Sequence, residues 1–224
     1  MLMVNQLVGF GAGGETAAPA AIAYAASSSD ETGSTTVTFT SLGIGTASSD
    51  RYVLVVVATR LTGSISSVTV GGAATTSVVA ASNGVQKLEM YITSAVFTSG
   101  TTANVVVTTS AANSGVIVAT YTITGIVSIT PSNTQTTTTD NATMSLSVPA
   151  GGVAISGAND LGTAVGNTNG ATFTHSGTTE NADRCVGFVA LGAGSLSSPG
   201  GTTASIAIDA ATTSTYVAAC ASLV

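Results

Sequence analysis

The apolar residues of this chain come in short runs, and this feature restricts the fold more than any other. A run of seven apolar residues, "YVLVVVA" at 52–58, lies between Arg51 and Arg60. A helix that crosses a bilayer needs about 20 apolar residues, so this run is too short to span a membrane. An apolar run of this length without alternation is typical of a strand covered on both faces. We expect the two arginines to mark the points where the strand leaves the interior.

Similar short runs recur along the chain, rich in Val, Ile and Thr and separated by Gly, Ser, Thr and Asn. β-branched residues suit a pleated sheet, and this spacing of strands and turns is typical of a β-sandwich. In "LEMYITSAV" and "ASIAIDA" apolar and polar residues alternate, which indicates one buried face. The sequence therefore predicts an all-β fold built as an antiparallel β-sandwich. The side chains predicted to be buried are Val55, Val57, Val105, Val107, Ile117, Ile206 and Ile208.

Two halves of the sequence resemble each other. "TTANVVVTTSAANSGVIVATY" begins at Thr101 and "TTASIAIDAATTSTYVAACAS" at Thr202, an offset of 202 − 101 = 101 residues. We infer two copies of a six-strand unit, at about 34–127 and 138–224 within a β-sandwich region that covers 31–224. Two arrangements remain open: two tandem immunoglobulin-like sandwiches, or two halves of one jelly-roll-like sandwich.

Residues 1–30 are predicted to form an N-terminal arm or linker. The stretch "AAPAAIAYAAS" at 17–27 is the one candidate helix, and Pro19 permits only a short first turn. "GFGAGG" at 9–14 satisfies the G-x-G-x-x-G pattern, but a dinucleotide site needs that pattern inside a βαβ unit. We interpret this segment as a flexible arm, with "MLMVNQLVGF" as an apolar strip that docks on a partner.

The low charge of the chain argues against several classes of function. Charged residues make up 6% of the chain, with 4 basic and 10 acidic residues and a net charge of −6. Four basic residues are too few to neutralise a run of phosphates, so we expect no nucleic-acid partner. No basic segment precedes the first apolar stretch, which argues against a signal peptide and favours synthesis in the cytoplasm. The absence of Trp makes a stacking platform for sugars or bases improbable.

His175 is the single histidine and is the first candidate for catalysis, with Glu180, Asp183 and Arg184 nearby in sequence. A serine hydrolase of the common α/β type would need a G-x-S-x-G turn, which the chain lacks. A zinc site would need more nitrogen or sulfur ligands. We expect a loop histidine at the end of a strand.

Two short clusters carry oxygen ligands that suit calcium. They are Asp30 with Glu31, and Asn159 with Asp160. Neither has the density of acidic residues that a calcium loop requires. Solvated turns are the favoured interpretation of both clusters.

The remaining candidates have ordinary structural explanations. Cys185 and Cys220 both lie in predicted strands of the second repeat, either as neighbours or, as we favour, as buried free thiols. Lys87 and Glu89 share one face of a strand and are expected to face solvent. Asn141 begins an N-x-T sequence that matters only in a secreted eukaryotic protein. The sequence predicts no catalytic, cofactor-binding or metal-binding residues, and no enzyme.

Several blocks together resemble a family of β-sandwich structural proteins of tailed bacteriophages and prophages. The blocks are "NQLVGFGAGG", "ASSDRYVLVVVATR", "ISSVTVGGAATT", "TSGTTANVVVT" and "VPAGGVAISGAND", which cover nearly the whole chain. The resemblance implies a virion component, such as a head decoration protein, head fibre or tail-associated protein. It implies a location in the virion and brings no catalytic residues.

The open edges of such a sandwich favour an assembly. Lysines usually guard sheet edges against pairing, and this chain has a single lysine, Lys87. We therefore expect a homo-oligomer, and the resemblance makes a trimer the favoured form. Other virion proteins are the expected partners through the N-terminal arm, with no membrane partner. The alternative function is an extracellular glycan-binding module or adhesin.

Overall fold

The computed structural model describes residues 18–160, 173–198, 201–210 and 216–224, and these ranges are built from antiparallel strands without a helix. The fold is all-β, as predicted. The strands of the first half are β1 (Ala21–Asp30), β2 (Thr36–Gly43), β3 (Tyr52–Arg60), β4 (Ile65–Val70), β5 (Ala73–Ser82), β6 (Gln86–Thr93), β7 (Thr102–Thr109) and β8 (Val116–Thr124).

These eight strands form one sheet in the order β1-β8-β3-β6-β5-β4-β7-β2. β4 and β5 share only two residue pairs, Thr69 with Ala74 and Val70 with Ala73. Gly71 and Gly72 make the turn between them with φ angles of 56° and 82°, which glycine adopts without strain. The sheet folds over at this corner, so a five-stranded layer (β1-β8-β3-β6-β5) covers a three-stranded layer (β4-β7-β2).

The second half repeats this arrangement. Its sheets have the orders β9-β16-β11-β14-β13 and β12-β15-β10, which are the orders of the first half with eight added to each strand number. The chain therefore forms two successive sandwiches, called here unit 1 and unit 2. The strands of unit 2 are β9 (Asn133–Thr137), β10 (Met144–Val148), β11 (Gly152–Asp160), β12 (Phe173–Ser176), β13 (Thr179–Val186), β14 (Val189–Ser198), β15 (Thr202–Ala210) and β16 (Tyr216–Leu223).

The fold has three apolar cores, and each lies between two packed layers of strands. One lies inside unit 1, one inside unit 2, and the third lies between the two five-stranded layers, which pack against each other. We call this third core and its rim the seam. β3 contributes Val53, Val55 and Val57 to the interior of unit 1, and Leu54 and Val56 to the seam. This explains why "YVLVVVA" does not alternate, and it confirms that β3 is a central strand covered on both faces.

The seam has a pseudo-two-fold arrangement. The contact between β1 and β13 corresponds to the contact between β9 and β5. The contact between β3 and β14 corresponds to the contact between β11 and β6. Likewise, the contact between β6 and β16 corresponds to the contact between β14 and β8. β3 contacts its own counterpart, β11. Most contacts between unit 1 and unit 2 thus have a reciprocal, which is the pattern of an isologous dimer interface, and β1 makes additional contacts with β14 and β11. The axis passes near the place where β3 and β11 face each other.

Gly157 lies where the two central layers approach closely. A Cβ atom added at Gly157 would lie 3.1 Å from Cγ1 of Val56 and 3.5 Å from Cδ1 of Leu88. The glycine therefore allows β11 to rest directly on the apolar face of unit 1.

The prediction of an arm or linker over residues 1–30 is wrong for residues 21–30, which form β1 and pair with β8 along their length. The helix considered at 17–27 is also wrong from Ala21 onward. Ile22 packs against the seam core, and the rings of Tyr24 and Tyr121 meet edge to face with centroids 5.7 Å apart. These contacts and the backbone pairing outweigh the helical propensity of alanine. Residues 1–17, with the strip and the glycine pattern, lie outside the described residues.

Two further expectations need correction. Each unit has eight strands instead of six. Arg51 does not mark an exit to solvent, because its side chain is fully buried beside the start of β3. Arg60, at the other end of the strand, is half-buried. The predicted core is confirmed, since each of its members is fully buried: Val55, Val57, Val105, Val107, Ile117, Ile206 and Ile208.

Candidate functional site

His175 lies in a polar cluster inside unit 2 instead of the predicted loop. It belongs to β12 and pairs with Ile208 of β15. Its Nδ1 atom lies 3.3 Å from Oγ of Ser156 and 3.3 Å from Oγ1 of Thr178. A Cβ atom at Gly194 would lie only 2.7 Å from the same Nδ1, so glycine makes room for the imidazole ring.

The cluster has the hydroxyl and imidazole of a serine–histidine pair, but its geometry does not suit nucleophilic catalysis. Ser156 is fully buried, and its Oγ atom also lies 2.9 Å from Thr178 Oγ1 and 3.3 Å from the carbonyl of Gly194. Burial lowers the pKa of His175 to about 4, so the neutral ring is a weak base at pH 7. Its buried Nε2 atom has no hydrogen-bond partner among the described residues, whereas a catalytic base is oriented by a third group. We interpret the cluster as internal packing around a neutral histidine.

Acidic residues that neighbour His175 in sequence do not complete it. Asp183 accepts a hydrogen bond at 3.2 Å from the backbone N–H of Phe173, and Glu180 is exposed on β13. Arg184 is not part of this cluster, because its side chain extends across the seam and binds β1.

Of the two candidate calcium clusters, only the second differs from expectation. Asp30 accepts hydrogen bonds from the backbone and the hydroxyl of Thr32, at 2.9 and 2.6 Å, as in an ordinary turn. Asn159 and Asp160 were predicted to lie in a solvated turn, but they end β11 and are buried. Asn159 Nδ2 donates to the carbonyls of Thr59 at 3.0 Å and Lys87 at 2.8 Å, so it ties the units together. Among the residues that the structure describes, no group of three His, Cys, Asp or Glu side chains has metal-binding geometry.

The cysteines are both free thiols. Cys220 is buried inside unit 2 with its sulfur 3.9 Å from that of Met144, as expected for a small apolar side chain. Burial raises the pKa of Cys220 to about 12, so the thiol is unreactive. Cys185 is half-buried on β13, which two strands (β14 and β11) separate from β16, and the two thiols are therefore not neighbours in the sheet.

Two smaller expectations concern Lys87 with Glu89, which are both half-buried, and Asn141. Lys87 Nζ donates to Ser82 Oγ at 2.7 Å, and the hydroxyl of Tyr91 donates to the carboxylate of Glu89, so both charges have local partners. Asn141 follows β9 with a φ of 51°, in the left-handed conformation that asparagine tolerates.

The basic side chains hold loops and the seam together. Arg51 donates hydrogen bonds to the carbonyls of three loop residues. The guanidinium carbon of Arg60 lies 5.4 Å from the ring centre of Phe188, across the seam. Arg184 donates to Ser27 Oγ and Ser29 Oγ, each at 3.2 Å, and to the carbonyl of Ser27 at 3.4 Å. Nothing in the sequence around Arg184 indicated this contact, because its partners lie more than 150 residues away.

Gln86 is another residue that the sequence did not single out. It lies fully buried at the start of β6, and neither its Oε1 nor its Nε2 atom has a partner among the described residues. The same is true of Oδ1 of Asn159, whose Nδ2 binds the carbonyl next to Gln86. Buried polar atoms of this kind usually bind internal water.

Comparisons with protein-family models, with curated proteins and with solved structures give no match to this chain. Within the described ranges, no helix has the length and hydropathy that a bilayer crossing requires.

Proposed function

We propose that this chain is a structural protein of a tailed-bacteriophage particle, in which it decorates or stabilises the head or is associated with the tail. The observation that carries the proposal is the seam. Two sandwiches are fused through a shared apolar core into one block, with Leu54, Met90, Ile155 and Leu191 all fully or almost fully buried there. A block of this kind suits a protein whose task is to present fixed surfaces to its neighbours.

The distribution of charge supports the same proposal. Arg51 is buried, while Arg60 and Arg184 bind across the seam. The surface is therefore acidic and rich in Ser and Thr hydroxyls, and the chain as a whole has a net charge of −6. Contacts of such a surface with identical or different neighbours would use hydrogen bonds and apolar area more than ion pairs.

The particle itself provides the direct test. Mass spectrometry of purified virions from the phage or induced prophage that encodes the chain should detect it in stoichiometric amount. Cryo-electron microscopy of particles with and without the gene product should show density at symmetry-related positions only in the former. Absence of the chain from purified particles would refute the proposal.

The partner is proposed to be another virion protein, held through residues 1–17. The docking test must spare β1, so the informative variant deletes residues 1–17 and keeps Ala21–Asp30. We expect this variant to melt at nearly the same temperature as the full chain and to be lost from particles. Normal incorporation would show that the segment has no docking role.

We further propose a homo-oligomer, with a trimer favoured. Few surface charges mean that salt should weaken the association little, since screening acts mainly on exposed charges. Analytical ultracentrifugation at low and high salt measures this. A monomer at micromolar concentration in both conditions, which also fails to bind undecorated particles, would contradict the proposal.

A further inference from the structure

A groove opens at one side of the seam, between β5 of unit 1 and β9 of unit 2. Its volume is about 510 Å³, within the range of small-molecule and side-chain pockets. It offers hydroxyl groups and methyl groups and contains no charged side chain in its lining. The lining residues are Ala80, Ala81, Ser82, Thr136, Thr137, Thr138 and Thr139.

The pseudo-two-fold axis relates this groove to the contact between β13 and β1. That contact is filled: Arg184 of β13 donates to Ser27 Oγ, Ser29 Oγ and the Ser27 carbonyl of β1. The two places are counterparts because β5 corresponds to β13 and β9 corresponds to β1 in the repeated topology.

The strand registers show which residue takes the place of the arginine. In unit 2, Asn159 pairs with Leu191, and Leu191 pairs with Arg184. In unit 1, Ala58 pairs with Leu88, and Leu88 pairs with Ala81. Both leucines belong to the seam core, so the two rows face the same side of their sheets. Ala81 therefore occupies in unit 1 the position of Arg184 in unit 2.

The acceptors match in the same way. Ser27 pairs with Ala119, and Thr136 pairs with Ala219. Both alanines belong to the seam core, and Ala119 and Ala219 stand at equal distance along their strands from the rows just described. Thr136 thus corresponds to Ser27, and two residues further along the chain Thr138 corresponds to Ser29. Both threonines line the groove.

We propose that this groove binds the guanidinium group of an arginine side chain from a partner protein. In the contact between β13 and β1, the hydroxyls of Ser27 and Ser29 and the carbonyl of Ser27 already bind the guanidinium group of Arg184. Thr136 and Thr138 offer the same arrangement on the outer strand β9 and just beyond its end. In the groove the hydroxyls are present, but alanine replaces the arginine. Arginine carries its donors in a rigid planar fork that lysine lacks, so the site selects arginine over lysine.

The charges around the groove fit a cationic ligand from another protein. The chain has a net charge of −6, which attracts basic partners. Lys87 is held by Ser82, whose side chain points to the opposite face of β5 from Ala81. The chain's own arginines are engaged, with Arg51 and Arg184 in hydrogen bonds and Arg60 against Phe188. A different protein must therefore supply the arginine, and this inference does not depend on the proposed virion role.

The first experiment uses N-acetyl-arginine methylamide as the probe and N-acetyl-lysine methylamide as its control, each titrated into the isotope-labelled full chain. We expect the arginine probe to shift the amide resonances of Ala81, Thr136 and Thr138, and the lysine probe to do so much less. The double variant Thr136→Val, Thr138→Val should weaken binding of the arginine probe by about tenfold, since each hydroxyl accepts a charge-assisted hydrogen bond. Equal shifts with both probes, or no shifts at the groove, would overturn the proposal.

The second experiment introduces the arginine into this chain itself, at position 81. Ala81→Arg should raise the midpoint of thermal unfolding above that of Ala81→Met, which has a long side chain without donors. It should also abolish binding of the arginine probe, because the groove is then filled. Adding Thr136→Val to Ala81→Arg should cancel the gain. Equal midpoints for the arginine and methionine variants, or an unchanged probe titration in Ala81→Arg, would contradict the assignment. If Ala81→Arg does not fold, the threonine variants of the first experiment still decide it.

Discussion

Arg51 and Phe97 bind each other through main chain and side chain at once. The backbone N–H of Phe97 donates to the carbonyl of Arg51 at 2.7 Å, and Nε of Arg51 donates to the carbonyl of Phe97 at 2.8 Å. The guanidinium carbon also lies 5.5 Å from the centre of the Phe97 ring. Two more donors of Arg51 reach the carbonyls of Gly45 and Ser99, at 2.8 and 2.7 Å. One buried side chain thus fastens two loops at one end of unit 1.

We predict that Arg51→Met destabilises the protein by about 3 kcal/mol or more, because three carbonyl groups lose their donor in a place closed to water. Arg60→Met is the matched control. Arg60 stacks on Phe188, so its replacement should cost about 1 kcal/mol or less. Urea denaturation of both variants measures the difference. Equal losses would show that the Arg51 contacts contribute little.

Val55 tests the central strand. Its side chain is fully buried inside unit 1, so Val55→Asp places an unpaired charge in an apolar interior and should prevent folding. Val127 is 79% exposed, and Val127→Asp should leave the protein soluble and stable. Soluble yield and thermal melting compare the two. A soluble Val55→Asp protein that melts cooperatively would contradict the interior position.

Gly157 tests the seam. Gly157→Val pushes two methyl groups toward Val56 and Leu88 and should cost about 1–3 kcal/mol through overpacking. Ala23→Val adds a similar bulk at an exposed position of β1 and is the control. Hydrogen exchange should show faster exchange along β3 and β11 in Gly157→Val alone. An unchanged exchange pattern and midpoint would mean that the layers are not in close contact there.

The burial of His175 makes the stability of the folded protein depend on pH. Its pKa in the folded protein is about 4, compared with 6.5 for an ordinary histidine, because burial disfavours the charged ring. The unfolded chain therefore takes up a proton first, and stability that is complete above pH 6.5 is lost as the pH falls toward 4. The loss from this group reaches up to about 3 kcal/mol.

The control for this prediction is His175→Gln, which keeps a polar side chain without the titration. The other ionisable groups are common to both proteins. Denaturation between pH 7.5 and pH 4.5 should therefore give a smaller loss of stability in His175→Gln than in the parent. Parallel curves for the two proteins would show that the histidine is not buried as a neutral ring.

The sequence predicted the strands that carry much of the apolar core and missed the same strands in both units. β3, β7 and β15 contain Val and Ile in runs that only a buried strand explains. The sequence did not indicate β1, β5, β9 or the part of β13 before Cys185, and these are the outer strands of the two five-stranded layers. Ala, Ser and Thr dominate β1, β5 and β9, and most residues of β13 are polar or charged, since one edge or face of these strands meets solvent or the seam. β1 and β9 pair with β8 and β16 far along the chain, a pairing that local composition does not reveal, while β5 and β13 pair with the next strands, β6 and β14.

The seam and the groove could not be predicted for a related reason. The local sequence around Asn159 and Arg184 is typical of polar loops. Their partners Lys87 and Ser27 belong to the other unit, so the local sequence does not indicate these contacts. The counterpart of Arg184 is Ala81, and an alanine gives no signal of a site. Only the registers of the two sheets bring Ala81 and Thr136 to the same groove.

The self-complementary seam also affects how the chain must be made. The last strand of unit 1 ends at Thr124, before any strand of unit 2 has been synthesised. The apolar face with Leu54 and Met90 is then uncovered, and a neighbouring nascent chain presents an identical face. Because chains fold as they leave the ribosome, first halves on adjacent ribosomes can pair with each other. The connection from β8 to β9, residues 125–132, opposes this by keeping the second half at a high effective concentration next to the first. The spacing of ribosomes on the messenger and the length of this connection therefore determine whether translation yields single chains or entangled pairs.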